Sequence, residues 1–172
     1  MNLLLVRHAV AEEREEFAKT GKRDSERPLT REGREKMRQA AHGVASLLSN
    51  LDVIVTSPLK RTVQTARILA AAYTDVDVVR LESLAPDGDH AGTMEWLSRN
   101  AHLRSVAMVG HEPSLGELFA LLASGRDAPF FEFKKGGVVL LSLGKKPAPG
   151  NGRLEWAVQP AALRLISKSK RA

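Results

Sequence analysis

The sequence predicts an α/β protein with three layers: a mostly parallel central sheet, helices on both faces, and a C-terminal hairpin. Two observations carry this. From residue 2 to about residue 123, short apolar runs alternate with segments whose apolar residues recur at helical spacing. Beyond them, two further apolar runs flank a Pro/Gly/Asn turn. The chain has 172 residues, 43% of them hydrophobic, which suits one domain spanning 1–172 with a real core.

Asn2 to Arg7 reads as a buried strand. Glu12 to Arg27 is highly charged, has almost no apolar residues and reads as a mobile connection. Thr30 then reads as a helix N-cap. After it Met37, Ala40, Ala41, Val44, Leu47 and Leu48 mark one helix face. Asp52 to Thr56 is a second strand. Ser57-Pro58 is a helix start, with Ser as cap and Pro in the first turn, and that helix runs to about Tyr73. Val76 to Leu81 is a third strand, followed by a Pro/Asp/Gly loop and a short helix around Met94 to Arg99. Ser105 to Val109 is a fourth strand, ending in Gly110-His111, and Ser114 to Ala123 is another helix. Val138 to Leu143 and Leu154 to Val158 form the hairpin. Gly136-Gly137 reads as a bend, Trp96 and Trp156 as packing residues, and 168–172 as a frayed tail.

Composition excludes several classes. No apolar run is long enough to span a membrane, so no membrane partner is expected. The N-terminal apolar run has no basic region before it and is interrupted by Arg7-His8, so it is not read as a signal peptide. The chain has no Cys, which fits a reducing cytoplasm and rules out a thiolate metal site. The net charge of +6 favours anionic ligands. The basic residues are dispersed, often beside Glu, and do not alternate with aromatics, so nucleic acid is not expected as a partner. Nothing in the sequence fixes the oligomeric state.

Three strand ends carry chemistry. Arg7-His8 ends the first, Ser57 to Thr65 follows the second, and Gly110-His111 ends the fourth. In a parallel sheet such ends lie along one edge, where ligands bind. A guanidinium beside an imidazole suits a doubly charged phosphate: one group clamps it, the other can attack it. Arg61 falls in the first turn of its helix, and that helix start favours an anion. His42, His90 and His102 have no partners at metal-ligand spacing and read as surface residues.

Arg7-His8, the run Ser57-Pro58-Leu59-Lys60-Arg61-Thr62-Val63-Gln64-Thr65-Ala66, and Gly110-His111-Glu112-Pro113 resemble the histidine phosphatase superfamily, the phosphoglycerate mutase-like fold. Asp24-Ser25-Glu26-Arg27-Pro28-Leu29-Thr30, with Gly33 three residues on, resembles its SixA-type phosphohistidine phosphatases. The match covers residues 1 to about 123. One departure is Ala9, where the family has Gly after Arg-His; Ala is tolerated there if φ is negative. The resemblance implies a nucleophile at His8 that forms a phosphohistidine. It implies that Arg7 and Arg61 bind the phosphoryl oxygens and that His111 completes the pocket. It implies no metal and no cofactor, since guanidinium forks and an imidazole supply positioning and charge.

Other residues stay open. Ser57 is read first as a helix cap and second as a phosphate contact. Asp24 and Arg27 either shape the pocket mouth or pair with each other. The family's acid after the third strand falls on Glu82, with Asp87 and Asp89 in the next loop as substitutes. An alkoxide leaving group needs such an acid, whereas an imidazole, with a pKa near ~6.5, does not. The expected activity is therefore removal of phosphate from phosphohistidine in proteins. The alternatives are a small phosphomonoester as substrate, or a phospho-ligand binding module without turnover.

Overall fold

Leu3, Leu4, Leu5 and Val6 are wholly buried, so their strand must lie inside a sheet covered on both faces. The computed structural model, which describes residues 1–126 and 128–169, shows that arrangement. Strands β1 (Asn2–Arg7), β2 (Val53–Thr56), β3 (Asp77–Arg80), β4 (Ser105–Gly110), β5 (Val138–Ser142) and β6 (Arg153–Val158) form one sheet in the order β3-β2-β4-β1-β5-β6. The first four are parallel; β5 and β6 run antiparallel as the expected hairpin, with an irregularity at Leu140/Leu141.

Alternation along β1 divides the core. Leu4 and Val6 face α2 (Arg31–Leu47), α3 (Lys60–Ala70) and α6 (Pro160–Ser169), meeting Met37, Ala40, Val44, Ala66, Leu69 and Leu163. Leu3 and Leu5 face α4 (His90–Arg99) and α5 (Ser114–Ser124), meeting Leu97, Leu115, Leu118 and Phe119. Trp156 packs against the first cluster and Trp96 against the second, as expected. The register sets the strand ends level. Arg7 stands opposite Gly110, Thr56 opposite Val109, and the Ser57 N–H donates to the Val109 carbonyl. His8, Ser57 and His111 are thus the next residues out along one edge.

The local expectations meet mixed outcomes. Thr30 caps α2 as expected, its hydroxyl accepting from the Gly33 N–H at 2.8 Å. Ser57 does not cap α3: that helix begins at Lys60, behind Leu59 in extended conformation. The charged connection contains a five-residue helix, α1 (Arg14–Ala18), and a 3-10 turn at Asp24–Glu26. Its order comes from polar bonds rather than from a core. Arg27 donates to Asp24 Oδ1 and to the Glu12 carbonyl, both at 2.7 Å. His90 is half-buried and 3.4 Å from Glu117, while His42 and His102 are exposed.

The largest departure is α6. Lys168 and Ser169 belong to this helix and not to a frayed end, and 170–172 lie outside the described residues. Pro160 fits the first helical position. Leu163 and Ser167, four apart, supply the buried face. Gly43 on α2 makes the packing possible: a Cβ there would stand 2.1 Å from the Leu163 carbonyl oxygen. Gly43→Ala should therefore force the two helices apart. A destabilisation of about 1–3 kcal/mol is expected, read as a fall in thermal midpoint of a few degrees per kcal/mol. An unchanged midpoint would mean that α6 is not seated on Gly43.

Candidate active site

Each basic group is placed by a different element. His8 leaves β1 with its N–H bonded to the Gly110 carbonyl at 3.1 Å. The Gly136 N–H reaches both the Arg7 and the His8 carbonyls at 3.1 Å. The Ala9 N–H donates to Thr65 Oγ1 at 3.1 Å, and that hydroxyl donates to the Arg61 carbonyl at 2.8 Å. Thr65 on α3 thereby joins the His8 segment to the turn carrying Arg61. Ala9 is not among the positive-φ residues, so Ala in place of Gly is accommodated.

Inside this frame the His8 imidazole is buried, with Nδ1 2.7 Å from the Ala9 carbonyl oxygen. A carbonyl can only accept, so Nδ1 carries the proton and Nε2 keeps its lone pair. The His111 ring lies 5.2 Å from the His8 ring, centroid to centroid. Its Nε2 is 2.9 Å from Ser57 Oγ, which is fully buried. Ser57 therefore orients His111 and stands behind it.

Arg61 is only 2% exposed. Its Nη1 donates to Asp24 Oδ2 at 3.0 Å and to the Asp24 carbonyl at 3.1 Å. Asp24 also holds Arg27, so one carboxylate aligns two guanidiniums. Partial burial opposes its ionisation, but Arg27, Arg61 and Arg14 outweigh that and hold its pKa below the usual range. Arg7 Nη1 donates to the Phe133 carbonyl, with Glu132 3.9 Å away.

These groups surround a cavity of about 250 Å³ lined by Arg7, His8, Arg27, Arg61 and His111, with Glu13, Arg14, Pro86, Glu112 and Lys135 at its sides. Arg7 Nε, Arg61 Nε and His111 Nδ1 are buried without a hydrogen-bond partner, and they are the side-chain atoms so placed among the described residues. Buried polar groups are otherwise almost always paired. Three orphaned nitrogens on residues that line the same cavity as the His8 imidazole suit the oxygens of a tetrahedral anion. Among the described residues no three His, Cys, Asp or Glu side chains gather as metal ligands.

Of the sequence candidates, Arg7, His8, Arg27, Arg61 and His111 meet at the cavity. Ser57 and Asp24 stand one bond behind it. Glu82 does not line it: it is exposed and opens a 3-10 turn over Glu82–Leu84. Two carboxylates to which the sequence reading gave no role do line it, Glu13 and Glu112, and the pKa of Glu112 is shifted. Glu112 follows His111 directly and accepts from the Phe133 N–H at 2.9 Å. Desolvation, helped by Glu132, raises its pKa against the opposing Phe133 N–H and Arg7. Its adjacency to His111 was the only signal in the sequence.

Burial, with Arg61 and the neighbouring histidine adding repulsion, lowers the His111 pKa to about 3. Burial, with Arg61, Arg7 and Arg27, lowers that of His8 to about 4 despite its bond to Ala9. Both rings are therefore neutral near pH 7. For His8 that keeps the lone pair available. For His111 it means that protonation requires a bound anion to offset the guanidiniums.

Residues 3–86 match a family model described as the histidine phosphatase superfamily (branch 1). An uncharacterised protein of Picosynechococcus sp. is 35% identical over 146 residues, 84% of this chain and 86% of that protein. The phosphohistidine phosphatase SixA of Escherichia coli (strain K12) is 27% identical over 170 residues, 96% of this chain and 98% of its own length. A solved structure of the protein histidine phosphatase SixA complexed with tungstate superposes with a TM-score of 0.76 at 26% identity, covering 95% of this chain and 99% of that one.

The two depressed histidines link stability to pH. Unfolded, each titrates at its ordinary value; folded, each stays neutral until far lower pH. Their contribution is intact above about pH 6.5 and is lost as pH falls towards 4 and 3, at no more than about 1.4 kcal/mol per histidine per pH unit. Thermal midpoints taken between about pH 7 and pH 5 should fall more steeply for the wild type than for a His8→Asn, His111→Asn variant. Parallel curves would mean that neither ring is held neutral by the fold.

Proposed function

The chain belongs to the histidine phosphatase superfamily and is a phosphatase, and on that premise we propose that it removes phosphate from phosphohistidine in proteins. We assign the reaction to a covalent phosphohistidine on His8, without metal or cofactor, and the location to the cytoplasm. The observation that carries the mechanism is that three unpartnered buried nitrogens belong to residues lining the cavity that holds His8. The likeness to SixA over nearly the whole chain supports the substrate class.

Each residue then has a task. Arg7 and Arg61 bind two phosphoryl oxygens, and His111 a third, gaining a proton as the dianion enters. Arg27 lines the mouth, with Asp24 holding both it and Arg61 in place. The lone pair of His8 Nε2 attacks phosphorus, and the phosphorus–nitrogen bond to the substrate imidazole breaks. That imidazole leaves with the electron pair and takes a proton from solvent. Water then displaces His8 from phosphorus, and its proton departs with the phosphate. The rate gain comes from positioning and charge neutralisation in a site already built for the anion.

Incubation with a radiolabelled phosphohistidine protein should place acid-labile, base-stable phosphate on the chain. His8→Ala should lose the label and fall to below about one thousandth of wild-type kcat, with its circular dichroism unchanged. Turnover without a labelled intermediate would remove His8 as the nucleophile.

One observation favours a second substrate class, a small phosphomonoester. Glu112 lines the cavity, and burial raises its pKa, which favours it among the nearby carboxylates as the acid an alkoxide leaving group needs. Glu112→Gln should lower kcat/KM for alkyl phosphates by about a hundredfold, with little change for phosphohistidine or an aryl phosphate. Glu82→Gln, on an exposed side chain, is the companion variant. Loss of alkyl phosphatase activity in Glu82→Gln alone would return the acid to the third strand end.

A further inference from the structure

A second cavity, of about 180 Å³, adjoins the phosphate cavity. Ala9, which follows His8, forms part of its wall, and Lys135 lines both cavities. Its floor is Met37 and Ala40 of α2 with Pro160 at the start of α6; its rim is Lys36, Lys135 and Arg164. The volume is near that of an engineered cavity able to hold benzene and well below a drug-sized site, so it fits one side chain. Gly136 keeps it open. That residue has φ +80, and a Cβ there would stand 3.7 Å from Pro160 and 3.8 Å from Met37 Sδ, against the floor. Nothing in the phosphate chemistry above uses this space.

We propose that this cavity receives an acidic side chain of the protein substrate, a Glu or Asp neighbouring the phosphohistidine in sequence. The inference rests on the phosphohistidine-protein reading. Charge complementarity selects the occupant. All three polar groups at the rim are cations, and an apolar floor suits the methylenes beneath a carboxylate. Lys36 pairs with Glu32 one helical turn back, and Arg164 Nη1 donates to the Pro160 carbonyl at 3.1 Å. Among the described residues no carboxylate forms an ion pair with Lys135 or Arg164. Lys135 lines both cavities and Ala9 of the second follows His8 of the first, so a residue next to the phosphohistidine is the part of a peptide substrate placed to meet the second cavity while the phosphate occupies the first.

The test compares phosphohistidine peptides that differ only in the residues flanking the modified histidine: glutamate, alanine or lysine. Wild-type kcat/KM should favour the glutamate peptide over the alanine peptide by about three- to tenfold, and the preference should shrink as salt is raised. Lys36→Glu with Arg164→Glu should abolish or reverse it; Lys36→Gln with Arg164→Gln should abolish it. Hydrolysis of p-nitrophenyl phosphate by the same samples reports that the variants are folded. Equal wild-type rates on the glutamate and alanine peptides overturn the inference and need no variant. So does a preference that survives charge reversal. Hydrolysis of p-nitrophenyl phosphate with none of any peptide overturns the phosphohistidine reading itself, and this inference with it.

Discussion

Uncompensated positive charge at a buried sheet edge is the constraint on which the rest of the site depends. Arg7, Arg27 and Arg61 approach one cavity, and Asp24 is the carboxylate that holds two of them. Removing guanidiniums from water is unfavourable unless something replaces the solvent. Asp24 and backbone carbonyls do so in part, and Arg7 Nε and Arg61 Nε are left over. That surplus adds to what burial does to the histidines. Burial first, and then the repulsion of the guanidiniums, keeps their protons off. The free lone pair of His8 and the surplus of positive charge are therefore products of the same enclosure.

Geometry comes from the sheet. Parallel pairing puts Arg7 beside Gly110 and Thr56 beside Val109, so two catalytic candidates and the serine behind them emerge at one level. Neither helix faces nor loops set this spacing as firmly, because a paired strand register admits only whole-residue slips. Ladders to β4 on one side of β1 and β5 on the other hold the register that aligns the chemistry.

The parts legible in the sequence are those written in local pattern. The four parallel strands and the hairpin were readable from apolar runs, and Thr30 from its chemistry as a cap. Arg7, His8, Arg61 and His111 were readable because each sits at the end of a strand or the start of a helix. The tertiary contacts were not. Ser57 looks like a cap because Ser-Pro fits a helix start, yet its hydroxyl is bound to a histidine 54 positions away. Glu82 has the expected place in the chain, but the strand before it ends at Arg80 and the turn leaves its side chain exposed. α6 has a narrow buried face, Leu163 and Ser167, and its seat is a glycine on another helix that no periodicity in its own segment announces.

Arg7 is held by a carbonyl from an aromatic segment. Phe131 and Phe133 stack edge-on with each other and with Phe119 of α5, on the face of the sheet opposite α2 and α6. From that cluster Phe133 offers its carbonyl to Arg7 and its N–H to Glu112, both of which line the candidate phosphate site. The orientation of both is thus inherited from hydrocarbon packing that never meets the substrate. Sequence drift confined to those rings can re-aim the cavity for a different phosphate ester while every residue that touches phosphorus stays the same, which gives the fold a route to new specificities that a motif search would not register.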